Sequence, residues 1–240
     1  MEYRERTYRN KVSKGHLTSF HITVKETDLF ISADRDFSDL ALTSVHTCRK
    51  YIEDYIRNRA EFFTSLEPIA TDAQAPGIIR QMIEASQKSG VGPMAAVAGA
   101  VAQYVGEEIL QYSENVIVEN GGDIFLKIDE DEARVGIFAG PSALSHKISL
   151  RIHANRTPLG ICTSSGTVGH SLSLGKADAV CVTAYSASLA DAAATSIGNH
   201  VTCERDIRNG LNFGSSIEDI LGIVIVAGDK LGAWGDIEFG

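Results

Sequence analysis

An aspartate and a threonine four residues apart, Asp191 and Thr195, are the pair in this sequence best placed to do chemistry. They lie in a run of small residues, Ala184 to Gly198, that follows the apolar segment Ala179 to Thr183. On an α-helix that spacing puts both oxygens on one face, one turn apart. A carboxylate and a hydroxyl held this way, joined by a main-chain carbonyl from another segment, would seat a hard cation such as Mg2+. The alanines around them would let a ligand or a second backbone come close to the helix. A structural role fits the same residues. Ser188-Leu189-Ala190-Asp191 has the form of a capping box. An acidic residue in the first helical turn is also favoured by the helix dipole, by about 0.3–1 kcal/mol. The deciding information has to come from elsewhere in the chain.

Two glycine-marked turns are the next candidates. Asn120-Gly121-Gly122-Asp123 joins two apolar runs and is either a plain hairpin turn, whose glycines supply positive φ, or part of a ligand site. Cys162 to His170 carries Ser164, Ser165 and Gly166 directly after an apolar run, where hydroxyl and N–H groups can meet phosphate or ribose. The same loop can equally be a solvated surface. His170 within it would serve as a general base or as a donor to phosphate, or simply be exposed. Nucleophile-elbow, Walker and G-x-G-x-x-G patterns are absent, and no histidine pair has zinc-ligand spacing. Tyr185 would stack on a ring or pack into the fold, and Trp234 would cover an apolar edge or an oligomer contact.

These residues need a scaffold, and the chain supplies one. At 240 residues with 44% hydrophobic content it can bury a substantial core as one domain spanning 1–240. The net charge of −9 argues against nucleic acid or an anionic membrane as a partner, while leaving room for a phosphorylated small molecule. Cys48, Cys162, Cys181 and Cys203 share no metal spacing and read as buried thiols of a reducing compartment. With no leader-like or membrane-length apolar run, the expected location is the cytoplasm.

Residues 1–64 read as a β-meander (segments 6–12, 17–25 and 28–33) and a long helix from Ser38 to near Phe63. A short helix over 77–88 would close at Ser89-Gly90, followed by a Gly/Ala-rich helix from Gly92 to Ala102 that continues to Tyr112. Strands are expected at 116–119, 124–128, 134–139, 147–153, 159–164 and 178–184, with the acidic run 129–132 at a hairpin tip. After the Asp191 helix come a short helix near 203–208, a buried strand over 222–228 and a last strand at 235–239. That order predicts an α+β fold with a largely antiparallel sheet packed with helices.

Taken in order, the motifs over about 91–200 resemble the ApbE superfamily, whose members include FAD:protein FMN transferases. Val97-Ala98-Gly99-Ala100 takes the place of an A-K-G helix, and Glu119-Asn120-Gly121-Gly122-Asp123 that of N-x-G-G-D. Ser164-Ser165-Gly166 stands for T-S-G, His170 for the following histidine, and Ala190-Asp191-Ala192-Ala193-Ala194-Thr195 for A-D-A-x-x-T. The resemblance implies Mg2+ held by Asp191, Thr195 and a carbonyl near Ala98, with His170 and Asp191 catalytic. It implies FAD or FMN beside Gly121, Gly122, Asp123, Ser164, Ser165 and Gly166. Passage of FMN to an acceptor protein, or cleavage of the pyrophosphate, would follow. Gly99 stands where the lysine of A-K-G is expected, and His170 to Lys176 lacks the Asp-Pro of H-x-x-D-P-x-T-G. Those departures keep a second expectation in view: a non-catalytic ligand-binding or oligomeric relative that retains the fold.

Overall fold

The structure, a computed structural model, describes residues 17–129, 132–167 and 174–240. The chain runs β1 (Thr18–Val24), β2 (Thr27–Ala33), α1 (Ser38–Asn58), α2 (Ala60–Thr64) and α3 (Gly77–Ser89). A 3-10 turn, Pro93–Ala96, leads into α4 (Val97–Ile109), then β3 (Val116–Asn120), β4 (Asp123–Lys127), β5 (Glu132–Ile137) and β6 (Ile148–His153). β7 (Leu159–Ser164), β8 (Ala179–Ala184), α5 (Ala187–Asn199), α6 (Ile207–Gly214), β9 (Ile220–Ala227) and β10 (Lys230–Gly235) complete it. The expected strand 6–12 and His170 fall outside the described residues.

Eight strands form one antiparallel sheet in the order β1-β2-β3-β4-β7-β8-β9-β10, and β5 pairs with β6 as a separate hairpin. The α+β expectation therefore holds. The central strands read as unbroken apolar runs because both of their faces are covered. Val116, Val118, Phe125, Cys162, Val180 and Val182 face the helices, in one core with Ala100, Val105 and Ile197. Their neighbours Ile117, Ile124, Leu126, Ile161 and Cys181 point the other way, into a second core closed by Val135, Ile137 and Leu150 of the β5–β6 hairpin. The molecule thus has three layers, with the sheet in the middle.

Three boundaries differ from expectation for local reasons. α1 stops at Asn58 because Arg59 adopts φ −140°, ψ 80°, and the redirected turn of α2 buries Phe62, whose ring meets Tyr55 edge-on at 5.0 Å. The acidic run after β4 does not tip a β4–β5 hairpin: β4 pairs with β3 and β7. The last strand is Lys230–Gly235, and Gly235 at φ 79° turns the chain out of the sheet. The tail then runs along β6, with Arg151 N donating to Glu238 O at 2.8 Å and Gly240 N to Ser149 O at 3.0 Å.

Cys48, Cys162 and Cys181 are buried as expected, but Cys203 is exposed, since the turn it opens lies at the surface and its N–H donates to Asp206 Oδ2 at 3.1 Å. Among the described residues no helix is long and apolar enough to cross a membrane.

Candidate functional site

Strand alternation decides which side chains reach the helices. In β3 the even positions Val116 and Val118 face them, so Asn120 at the strand end does too. In β4, Phe125 shares that face and carries Asp123 with it; in β7, Cys162 does the same for Ser164. Ile124 pairs with Ile161, which sets the Gly121-Gly122 turn beside the end of β7. Thr163 N accordingly donates to Asp123 Oδ1 at 3.3 Å.

Helices α4 and α5 are in backbone contact where α5 begins. A β-carbon on Gly99 would lie 2.2 Å from the Ala187 carbonyl oxygen, and one on Gly160 would lie 2.4 Å from Ala187 Cα. The small residues of both helices are therefore accounted for first by packing: α5 begins wedged between α4 and β7. Gly99 stands where the resemblance expects a lysine, and this contact leaves no room for any side chain there.

Asp191 does not close the first turn of its own helix. The N-cap of α5 is Ser186, whose hydroxyl accepts from Leu189 N at 3.3 Å. The Ser188 hydroxyl is buried without a partner among the described residues. A capping box at Ser188 is thus corrected, and a test follows. Ser186→Ala is expected to cost about 1 kcal/mol of stability in urea unfolding. Ser188→Ala, which removes an unsatisfied buried hydroxyl, should be neutral or mildly stabilising.

The Asp191 carboxylate instead reaches across to α4, where Gly99 N donates to Oδ2 at 2.9 Å. Gly99 is the third residue of α4, which has no capping side chain of its own, so Asp191 caps that helix from outside. The carbonyl of the same peptide unit, Ala98 O, accepts from Asn120 Nδ2 at 3.0 Å. The sequence places Asn120 in the turn motif without giving its side chain a role of its own. Its signal was present in the alternation of β3, which turns Asn120 toward the helices even though its neighbours mark a turn.

Burial raises the Asp191 carboxyl to about 7, against the pull of the Gly99 and Ala98 N–H groups. Asp123 is raised well above the usual carboxylate range, first by burial and then by the Asp191 charge. Neither has an ion-pair partner among the described residues. Thr195 and Ser164 are half-buried and their hydroxyls carry no hydrogen bond among the described residues, with Ser164 Oγ 4.0 Å from a β-carbon built on Gly198.

The structure thus brings Ala98, Asn120, Asp123 and Asp191 together, with Ser164 at the adjoining end of β7, while Thr195 follows Asp191 one turn along α5. Gly121 and Gly122 form the adjoining turn at φ 69° and 111°, with Gly122 N donating to Glu119 Oε1 at 2.8 Å. Farther along, Ser165 Oγ meets Thr167 Oγ1 at 3.3 Å and Gly166 N donates to Ala177 O at 2.9 Å. Tyr185 is at the opposite end, next to Ala184, which pairs with Gly160, and is exposed. An open cavity of about 560 Å³ is lined by Lys176, Cys203, Glu204, Arg205, Ala227 and Gly228; neither Asp191 nor Thr195 lines it.

Among the described residues no three His, Cys, Asp or Glu side chains form a metal-holding group. A cation here would have to draw on a hydroxyl and a carbonyl beside its carboxylate. The donors present are all oxygens, and among the described residues no basic side chain pairs with the two buried carboxylates. That chemistry fits a hard divalent cation.

Comparison with known proteins yields a consistent set of likenesses. A family model described as AbpE bacteria matches residues 9–222. The UPF0280 protein of Methanococcus aeolicus is 41% identical over 222 residues, covering 90% of this chain and 89% of that protein. The UPF0280 protein of Methanocella arvoryzae is 37% identical over 213 residues, covering 88% and 86%. Among solved structures, the apo form of Pseudomonas stutzeri flavinyl transferase ApbE superposes with a TM-score of 0.58 at 12% identity, covering 91% of this chain and 94% of that one. The flavin transferase ApbE from Vibrio cholerae gives a TM-score of 0.56 at 15% identity, covering 91% and 97%. At such identities the structural likeness is one of fold.

Proposed function

The chain belongs to the AbpE bacteria family, and from that premise we propose that it is a flavin-transferase-like protein whose site takes a flavin nucleotide together with Mg2+. The observation that carries this reading is the buried Asp123–Asp191 pair without a basic partner, at the meeting point of α4, the β3–β4 turn, β7 and α5. Asp191, Thr195 and the Ala98 carbonyl are the proposed ligands. When bound, Mg2+ would offset the charge of the nucleotide's pyrophosphate. The half-buried Ser164 hydroxyl, with no hydrogen bond among the described residues, would donate to the nucleotide beside the Gly121-Gly122 turn. His170, outside the described residues, keeps the acid–base role that its motif position suggests. From FAD, the FMN phosphoryl would pass to a hydroxyl of an acceptor protein as the pyrophosphate bond breaks and AMP leaves, or water would cleave that bond to give FMN and AMP.

Among the described residues no lysine or arginine pairs with Asp123 or Asp191, and Gly99 stands in place of the A-K-G lysine. Flavin binding is therefore expected to depend wholly on the divalent ion. Titration of FAD and of FMN into the native protein should give Mg2+-dependent binding that EDTA abolishes and Asp191→Ala removes. Absence of binding at high micromolar flavin with millimolar Mg2+ would overturn the flavin assignment.

A second reading has its own observation. Asp191 caps α4 and the Ala98 oxygen accepts from Asn120, so the protein's own bonds fill places that the cation would take. In that reading the chain is a non-catalytic relative that keeps the fold. The same titration separates the two, since only the first requires the ion.

A further inference from the structure

The Ala98–Gly99 peptide unit is held from both ends by side chains distant in sequence. Its N–H donates to Asp191 Oδ2 at 2.9 Å, and its carbonyl accepts from Asn120 Nδ2 at 3.0 Å. The two partners do different things. Asp191 satisfies a donor that the first turn of α4 leaves open. Asn120 binds an oxygen that already has a partner, because Ala98 O lies inside α4 and accepts the N–H four residues on. A backbone carbonyl has two lone pairs. The helix bond takes one and Asn120 takes the other, which leaves none for a cation.

Resting on the cation reading above, we propose that Asn120 competes with the cation for the Ala98 carbonyl, so that ion entry requires the Asn120 amide to let go. The geometry favours competition over support. Asn120 approaches from the β3–β4 turn with a donor nitrogen, and a donor cannot share a lone pair with a cation. The residue sits at the last position of β3, next to two glycines at positive φ. Its side chain can therefore swing away while the strand pairing of Val116 and Val118 stays intact. Asp191 keeps its bond to Gly99 throughout, so release frees the oxygen without loosening the start of α4.

The test measures Mg2+ and Mn2+ binding to the flavin-free protein by calorimetry, comparing native chain, Asn120→Ala and Asn120→Leu. Both variants lack the amide donor and add no charge, and Asn120→Leu also keeps the volume and branching of the side chain should Asn120→Ala fold poorly. Removing one competing hydrogen bond is expected to tighten cation binding about three- to tenfold. Hydrogen exchange at the Gly99 amide should remain slow in both variants, since its partner is Asp191. Unchanged or weaker cation binding by the variants, with native binding intact, overturns the competition alone. No cation binding by any of the three proteins overturns it together with the cation reading on which it rests.

Discussion

Gly99→Ala is expected to lower the unfolding free energy by about 3 kcal/mol, or to prevent folding, and Gly99→Lys to be worse. The added β-carbon would lie 2.2 Å from the Ala187 carbonyl oxygen and 2.9 Å from Asp191 Cβ, so relief requires α4 and α5 to separate. Backbone cannot rotate away as a side-chain end can. Separation would also lengthen the bond from Gly99 N to Asp191 and open the space between α5 and β7, where Gly160 makes an equally close approach. Gly77→Ala supplies the control. That glycine starts α3 with no atom within 4 Å of a built β-carbon, and the exchange should gain about 0.5–1 kcal/mol by restricting the unfolded chain. Urea midpoints of the native protein, Gly99→Ala, Gly99→Lys and Gly77→Ala check these predictions. An unshifted midpoint for Gly99→Ala would mean that the helices are not in contact. The lysine expected from the family pattern is therefore excluded here by packing.

Asp191→Asn is expected to flatten the pH dependence of stability of the metal-free protein and to stabilise it near pH 8. The Asp191 carboxyl is raised from 3.8 to about 7 in the folded chain, chiefly by burial. Because the unfolded chain ionises first, this group's contribution is fully present below pH 3.8 and is lost as pH rises to about 7. Asp123, raised by burial and by Asp191, acts in the same direction. Surface carboxylates such as Asp34, Asp72 and Asp206 are lowered, and their contribution is present above the ordinary carboxylate range and lost as pH falls. Metal-free native protein should thus be most stable in mildly acid solution and weaken toward pH 8. The asparagine amide of the variant still offers an oxygen to Gly99 N, so the cap survives while the buried charge does not. Thermal unfolding at a series of pH values measures the effect. Equal slopes for native and variant would show that Asp191 titrates normally. Millimolar Mg2+ should restore native stability at pH 8 and leave Asp191→Asn largely unaffected, because only the carboxylate gains from a cation.

The element order was legible because most strands and helices carry their own periodicity and end at recognisable signals. Gly90, at φ 71°, closes α3 as its position after Ser89 suggests. Where the expectation erred, competition between non-local partners was at work. The tail 236–240 pairs with β6 instead of forming a strand of the main sheet, and β5 turns away from β4 to cover the second core. Local pattern cannot choose between two partners that are both apolar.

The candidate site divides the same way. Residue types and their spacing specify which oxygens exist and where they sit along the chain: Asp191 and Thr195 on one helix face, Asn120 and Asp123 flanking a two-glycine turn, and Ser164 at a strand end. Those facts follow from the constant periods of helix and strand. What Asp191 does is set by long-range contacts alone. Whether its carboxylate closes its own helix, caps another or joins a second carboxylate depends on atoms 92 residues away, brought within 2.9 Å only because Gly99 and Gly160 let three backbones meet. The same packing desolvates the carboxylate and raises its proton affinity. Spacing along the chain supplied the donor set; burial and close approach set its charge and its partners.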